Sequence, residues 1–409
     1  MTEPQPRALI GILLGVLCVL SLSCTSDYEL LSGAPPDVDP ADVTTCPFVP
    51  IEGTKLSQYD CNPVFTNTDE GWGGDVGSVG FHVTEVLGHP FYQMWYTSSP
   101  GGYGNYGMGY AVSANGTDWE THESNPLFVS EPGAWDQDSL AGQVVVWDPV
   151  EDEYVMAYQG FNLGDQLQQA DDIWGLGIST SPDGRDWQKH PANPVIDFGD
   201  YELSDDELFN AMVLGIEPSV KIKPCWPLTM TITERGAFRG YLAASRWTDI
   251  IDQINGITTT PASCDIYSMA GVDAGTWIIE DDQPLLTGSE LYDNKGVTSA
   301  AAVAMDGVQY IFYIGFEEWY QSPGTSGLIS AQRLTLNLAT SDDDGVTWVK
   351  DPDNPLPVHL TDPGQISNIG AQVIGSRIHL WIGDNYEGSS AIGYFYYEPG
   401  IEPHAAAAE

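Results

Sequence analysis

Short apolar runs split by polar turns recur along this chain. Val79–Leu87 (VGFHVTEVL) turns at Gly88-His89-Pro90 into Phe91–Thr97 (FYQMWYT), and Gln143–Trp147 turns over Asp148–Glu153 into Tyr154–Tyr158. Further on, Ala300–Met305 turns at Asp306-Gly307 into Val308–Ile314, and Gly370–Ile374 turns at Gly375-Ser376 into Arg377–Ile382. β-Branched and aromatic runs divided this way predict hairpins. A third run follows each hairpin: Gly107–Ser113, Gly175–Ser181, Leu334–Ser341 and Ala391–Tyr397.

A repeated phrase then opens the fourth strand. Gly116-x-x-Trp119 leads to Asn125-Pro126, Gly184-x-x-Trp187 to Asn193-Pro194, and Gly345-x-x-Trp348 to Asn354-Pro355. Gly275-x-Trp277 leads to Gln283-Pro284, and a degraded copy, Gly53-x-x-Leu56, leads to Asn62-Pro63. Leu56, Trp119, Trp187, Trp277 and Trp348 are spaced by 63, 68, 90 and 71 residues, which marks an internal repeat. Each repeat reads as a four-stranded antiparallel meander, the unit of a propeller blade. The fifth repeat ends without its phrase, and the orphan copy stands at the other end of the chain. Pairing the N-terminal strand into the last blade explains both facts, because ring closure removes exposed sheet edges. The expected fold is therefore all-β, a five-bladed β-propeller. The third repeat diverges most, with expected strands at Glu217–Ile222, Leu228–Thr233 and Tyr241–Ser245 and an insertion over 246–263.

Charge narrows the function. With 58 Asp+Glu against 13 Lys+Arg the net charge is -45, which repels nucleic acid and anionic lipid. The excess suits solubility in salt; the sharper alternative is a structural Ca2+ in or near the channel, although no EF-hand-like loop occurs. No cofactor and no other metal site is expected. Arg7 and the apolar run Ala8–Leu22 read as an export signal spanning 1–24, too short for a comfortable membrane span. Its end, Ser-Leu-Ser-Cys24, resembles the lipobox of bacterial lipoproteins and implies lipidation of Cys24; plain secretion is the alternative. Residues 25–45 read as a flexible tether, 46–399 as the propeller and 400–409 as a disordered tail, in a monomer touching membrane only through its anchor. Cys46, Cys61, Cys225 and Cys264 are an even set suited to an oxidising compartment. Three pairings exist; the sequence-local one, Cys46–Cys61 and Cys225–Cys264, is preferred here.

SDDDGVTW (341–348) fits the Asp-box turn of sialidases and other propellers, a structural turn whose Trp packs between blades. Together with the hairpin ending in MWYTS and the W-x5-NP-V phrase, the chain resembles the arabinanase, levansucrase and invertase superfamily of five-bladed propeller glycoside hydrolases. The resemblance covers about Cys46 to Pro399. It implies carbohydrate as partner and three acids at the starts of the inner strands: a base or nucleophile from blade one, a tuning Asp from blade two, and a general-acid Glu from blade three.

Glu217, in Gly-Ile-Glu-Pro-Ser-Val, looks like that family's acid motif. Blades one and two depart from the pattern. Ala141 or Gly142 and Val79 or Gly80 fall where the acids belong, and the nearest acids are upstream, Asp75 and Asp136, with Asp138 beside the latter. Asp75, Asp136 and Glu217 are the candidate catalytic carboxylates, since glycoside cleavage needs acids of opposite protonation flanking the sugar. Asp293 and Asp362 occupy similar upstream positions. Trp72, Trp135, Trp174 and Trp319 in the loops, with Asp293, are candidate sugar contacts, because sugar rings stack on aromatic faces. A non-catalytic glycan-binding propeller of the same descent is the rival reading. A sialidase needs an Arg cluster that this chain is too poor in Arg to build.

Overall fold

The chain closes into a ring by handing its first strands to its last sheet. The computed structural model describes residues 46–66, 76–77, 79–86, 89–98, 106–162, 173–197, 221–232, 238–247, 264–279, 283–294, 296–321, 330–358, 366, 368–386 and 389–405. Strands β1 (Phe48–Pro50), β2 (Leu56–Tyr59) and β3 (Phe65–Thr66) belong to blade five. Blade one holds β4 (Val79–Val86), β5 (His89–Ser98), β6 (Gly107–Ser113), β7 (Glu120–Thr121) and β8 (Phe128–Val129). Blade two holds β9 (Ser139–Asp148), β10 (Glu153–Asn162), β11 (Ile173–Ser181), β12 (Gln188–Lys189) and β13 (Ile196–Asp197). Blade three runs β14 (Lys221–Ile232), β15 (Phe238–Trp247), β16 (Asp265–Asp273) and β17 (Thr276–Ile279). Blade four runs β18 (Val297–Met305), β19 (Val308–Gln321), β20 (Ser330–Ser341) and β21 (Val349–Lys350). Blade five is completed by β22 (Asn368–Ile374), β23 (Arg377–Tyr386) and β24 (Ser389–Tyr397).

The inner strands β4, β9, β14, β18 and β22 neighbour one another in turn, and β22 meets β4. Closure follows the expected register, with Leu56 opposite Tyr397 and Phe65 opposite Ile392. Past β24, Gly53 N donates to His404 O at 2.9 Å and His404 N to Thr54 O at 2.7 Å. Cys46, Cys61 and Cys264 are in disulfides, Cys46 with Cys61 as expected. The side chain of Cys225, and residues 1–45 with Cys24, lie outside the described residues.

The Asn-Pro phrase has a definite job. Asn125 Oδ1 accepts from Tyr110 N at 2.9 Å while its Nδ2 donates to Tyr110 O at 3.0 Å. Asn193 does the same to Ile178, Asn354 to Leu338 and Asn62 to Tyr394. The side-chain amide stands in for a peptide group at the outer edge of the third strand, satisfying its N–H and sharing its carbonyl, which in blades one, two and four also accepts from the backbone N–H of His122, His190 or Asp351. All four Asn-Pro bonds are cis.

Each Asp-box turn is closed by its serine. Ser113, Ser181 and Ser341 Oγ accept from Gly116, Gly184 and Gly345 N, each at 2.9 Å, and all three glycines have positive φ. In blade four, hydrogen bonds from Thr347 and Ser341 hold the exposed Asp343 carboxyl down at about 2. The turns also latch onto the preceding blade: Trp95 Nε1 donates to Gly184 O at 2.7 Å, and Arg239 Nη1 to Asp344 O.

Blade three departs from the sequence reading. The run Leu228–Thr233, expected as its second strand, mostly continues the inner strand β14, and Tyr241–Ser245 lies in the second strand rather than the third. Pro224 and Pro227 sit inside β14, whose register shifts around Pro224, Trp226 and Thr229. An inner strand leaves one edge unpaired, so it tolerates residues without an N–H.

The two ends of the propeller differ. Where the inner strands finish, the exit face, hairpin turns are short, as at Asp306-Gly307 and Gly375-Ser376. Where they begin, the entry face, connections in blades one to four are longer: eight residues between β5 and β6, ten between β10 and β11, seventeen between β15 and β16 and eight between β19 and β20. Every connection from one blade to the next also arrives there. Long loops on a rigid scaffold are where binding and catalytic residues concentrate.

Candidate active site

The entry-face residues of blade two are fixed from several sides. Trp135 lies over a floor of Gly160, Gly175 and Gly177, where an added Cβ would strike its ring. Next to it, Asp136 is fully buried, and its Oδ2 receives Lys189 Nζ at 2.6 Å and the Tyr158 hydroxyl at 3.3 Å. Burial first, and then the Asp136 charge, push the Tyr158 hydroxyl above its usual range. Asp136 Oδ1 has no hydrogen-bond partner. Gln137 Nε2 donates to Asn162 Oδ1 at 2.9 Å, and Asp138 N donates to Phe161 O at 3.0 Å. Half-buried Asp138 is the last residue before β9.

Blade four repeats the pattern. Asp293 is fully buried, and its Oδ2 receives Lys350 Nζ and, at 3.1 Å, the Tyr313 hydroxyl. Here Oδ1 is satisfied, by Ser289 N at 2.9 Å and Glu290 N at 2.8 Å. Lys189 and Lys350 stand two residues after Trp187 and Trp348, so each ion pair ties the outermost strand to the segment entering the innermost one. Both are roofed by a ring, Lys189 at 5.3 Å from Phe128 and Lys350 at 5.9 Å from Tyr292.

Asp136, expected as a catalytic carboxylate, and Asp293, expected as a sugar contact, are both enclosed and paired with lysine. A group that meets substrate needs an exposed face, and these carboxylates have none and are neutralised by lysine. They are better described as struts. Trp135 keeps part of its ring accessible, but it is wedged by the glycine floor. Asp75, Glu217, Asp362 and Trp72 lie outside the described residues, as do the side chains of Trp174 and Trp319. The residue that sequence reasoning passed over is Asp138. Allowing for the extra residue that β9 carries opposite Ala157–Gln159 of β10, Asp138 and Asp75 hold matching sequence positions ahead of the strands facing Tyr158 and Tyr96. Those tyrosines are equivalent, since Asn193 and Asn125 each reach one of them, at 3.3 and 3.2 Å.

The channel behind this mouth has a volume of about 450 Å3 and is walled mainly by small and apolar residues, among them Gly80, Gln143, Thr229, Ala302 and Gly370. Its described wall has no carboxylate to ligate the Ca2+ considered from the sequence. Among the described residues no group of three or more His, Cys, Asp or Glu stands together to hold a metal, and no helix is long and apolar enough to cross a membrane.

No protein-family model and no curated protein matches the sequence. Solved structures do. One, from the GH130 family of mannoside phosphorylases that contains glycoside hydrolases targeting β-1,2 mannosidic linkages in Candida mannan, aligns at 16% identity and TM-score 0.54 over 90% of this chain and 98% of that one. A thermostable family-43 glycoside hydrolase aligns at 15% identity and TM-score 0.51, over 84% and 98%. The β-1,2-mannobiose phosphorylase of Listeria innocua, in complex with β-1,2-mannobiose, aligns at 12% identity and TM-score 0.51, over 84% and 96%. The chain has their fold. Alignment over nearly whole chains means that the five-blade ring itself is shared, as the repeat spacing implied. A shared scaffold leaves the chemistry to the site.

Proposed function

We propose that this protein cleaves glycosidic bonds at its entry face, with Glu217 as proton donor and Asp75 and Asp138 as the other carboxylates. Glu217 protonates the departing glycosidic oxygen, while Asp75 activates the incoming water or phosphate or attacks the anomeric carbon itself. Asp138 binds sugar hydroxyls and sets the charge at the mouth. The observation carrying this reading is the half-buried Asp138 at the head of β9, matched in sequence by Asp75 one blade earlier. Support also comes from the fold shared with hydrolases and phosphorylases that act on glycans, and from the long connections gathered at one face. The disulfides suit a place outside the cytoplasm, tethered through Cys24.

An assay of aryl glycosides and of manno- and arabino-oligosaccharides, each with and without inorganic phosphate, tests the proposal. Activity in the wild type with a loss of about 10²- to 10⁴-fold in Glu217→Gln supports it. Cleavage unaffected by Glu217→Gln would refute the assigned acid. Binding without turnover of any substrate would favour a glycan-binding scaffold.

A further inference from the structure

We propose that Asp136 and Lys189 are positioning residues that hold Asp138 at the mouth, an inference that rests on the functional reading above. Asp138 follows Asp136 by two residues, and the intervening Gln137 is pinned to Asn162 on β10. The turn leading in is internally bonded as well, with Gly133 N donating to Gln137 Oε1 at 3.2 Å and Ala134 N to Glu131 O at 3.0 Å. Within this turn Asp136 reaches the outermost strand of the blade by a charged contact, since Lys189 of β12 donates to it at 2.6 Å. Gly160 and Gly177 are needed there, since side chains at either would collide with Trp135. The ammonium does two things: it fixes the carboxylate that precedes the catalytic candidate, and it cancels a second negative charge close to it.

Blade four supplies the internal control. The Lys350–Asp293 strut uses the same residue types and the same burial, but the residue two after Asp293 is Lys295, not an acid. A purely structural role predicts equal consequences for the two struts. A positioning role predicts unequal ones.

The experiment compares Lys189→Met, Lys189→Arg and Lys350→Met in the full chain. Two readouts are used: steady-state kinetics on whichever glycoside the wild type cleaves, and hydrogen–deuterium exchange of peptides covering 131–140. Lys189→Met is expected to lower kcat at least about tenfold with KM within about twofold, and to speed exchange of the Asp138 amide about tenfold or more. Lys189→Arg should recover most of kcat. Lys350→Met should leave the kinetics and the exchange of 131–140 near wild type while still lowering the melting temperature. Equal kinetic losses in the two Met variants, or unchanged exchange at Asp138 in Lys189→Met, would overturn the proposal. If the wild type cleaves nothing, the functional reading fails, and the exchange data alone decide whether Lys189 holds Asp138 in place.

Discussion

Two neighbouring blade interfaces share a tryptophan latch and differ in what surrounds it. Where blade five meets blade one, Trp381 is sandwiched between Phe81, 4.2 Å away and nearly parallel at 16°, and Tyr394 at 4.8 Å and 5°. That seam is aromatic and dry, and Trp381 Nε1 finds its acceptor in the carbonyl of Gly116. Where blade one meets blade two, Trp95 likewise packs on Tyr154 at 5.4 Å and donates to Gly184 O, but toward the entry face Phe128 covers Tyr158 and the Lys189 ammonium, so a buried ion pair of blade two lies under the seam. Stacked rings gain from contact area and tolerate imprecision. A buried ion pair gains only when both partners are in place, and hydrophobic replacement of both is often neutral. The first seam closes the ring. The ion pair beside the second, lying against the mouth, fixes geometry at little net gain in stability.

The widest separation between the seams should come from removing one partner at each. Trp381→Ala should destabilise by about 3–5 kcal/mol through the cavity it leaves. Lys189→Met should cost a similar amount, roughly 3–5 kcal/mol, by stranding Asp136. The seams part in the double variants. Asp136→Asn with Lys189→Met should regain much of the loss in denaturant unfolding, whereas Phe81→Ala added to Trp381→Ala should lose more. If both pairs respond alike, the distinction between the seams is wrong.

Acid sharpens the contrast more gently. Burial holds the imidazoles of His82, facing blade two, and His379, beside Trp381, down at about 4. The unfolded chain takes up protons below about 6.5 and the folded one only near 4, so stability should be full above about pH 6.5 and fall as pH drops toward 4, by about 3 kcal/mol per histidine. His82→Phe and His379→Phe should each flatten that fall in urea midpoints measured from pH 7 to pH 4. An unchanged slope in either variant would assign the acid sensitivity elsewhere.

Most of the ring was legible because its determinants are local and repeated. The spacing of Trp119, Trp187 and Trp348, and the orphan phrase at Gly53–Pro63, gave both the blades and the closure. Blade three was misread because β14 runs on through shifts of register at Pro224, Trp226 and Thr229, so two expected runs belong to one long inner strand. The strut was hidden for a different reason. Asp136 and Lys189 lie 53 residues apart, and Asp293 and Lys350 lie 57 apart, so an acid with a buried partner looks like any other in a chain this acidic. A trace existed: only in blades two and four does a lysine stand two residues after the repeat Trp. Asp138 was passed over because its half-buried place at the head of β9 depends on packing the sequence does not display.

The asparagines that bond to Tyr110, Ile178, Leu338 and Tyr394 bear on how molecules of this protein meet one another. A propeller offers the outside world the rims of its sheets, and a rim of bare peptide groups invites a stranger's strand. Here the rims of blades one, two and four end in two residues of pairing and a side-chain amide followed by proline, which leaves a visitor few donors to copy. Crowded together, these rings should stay separate.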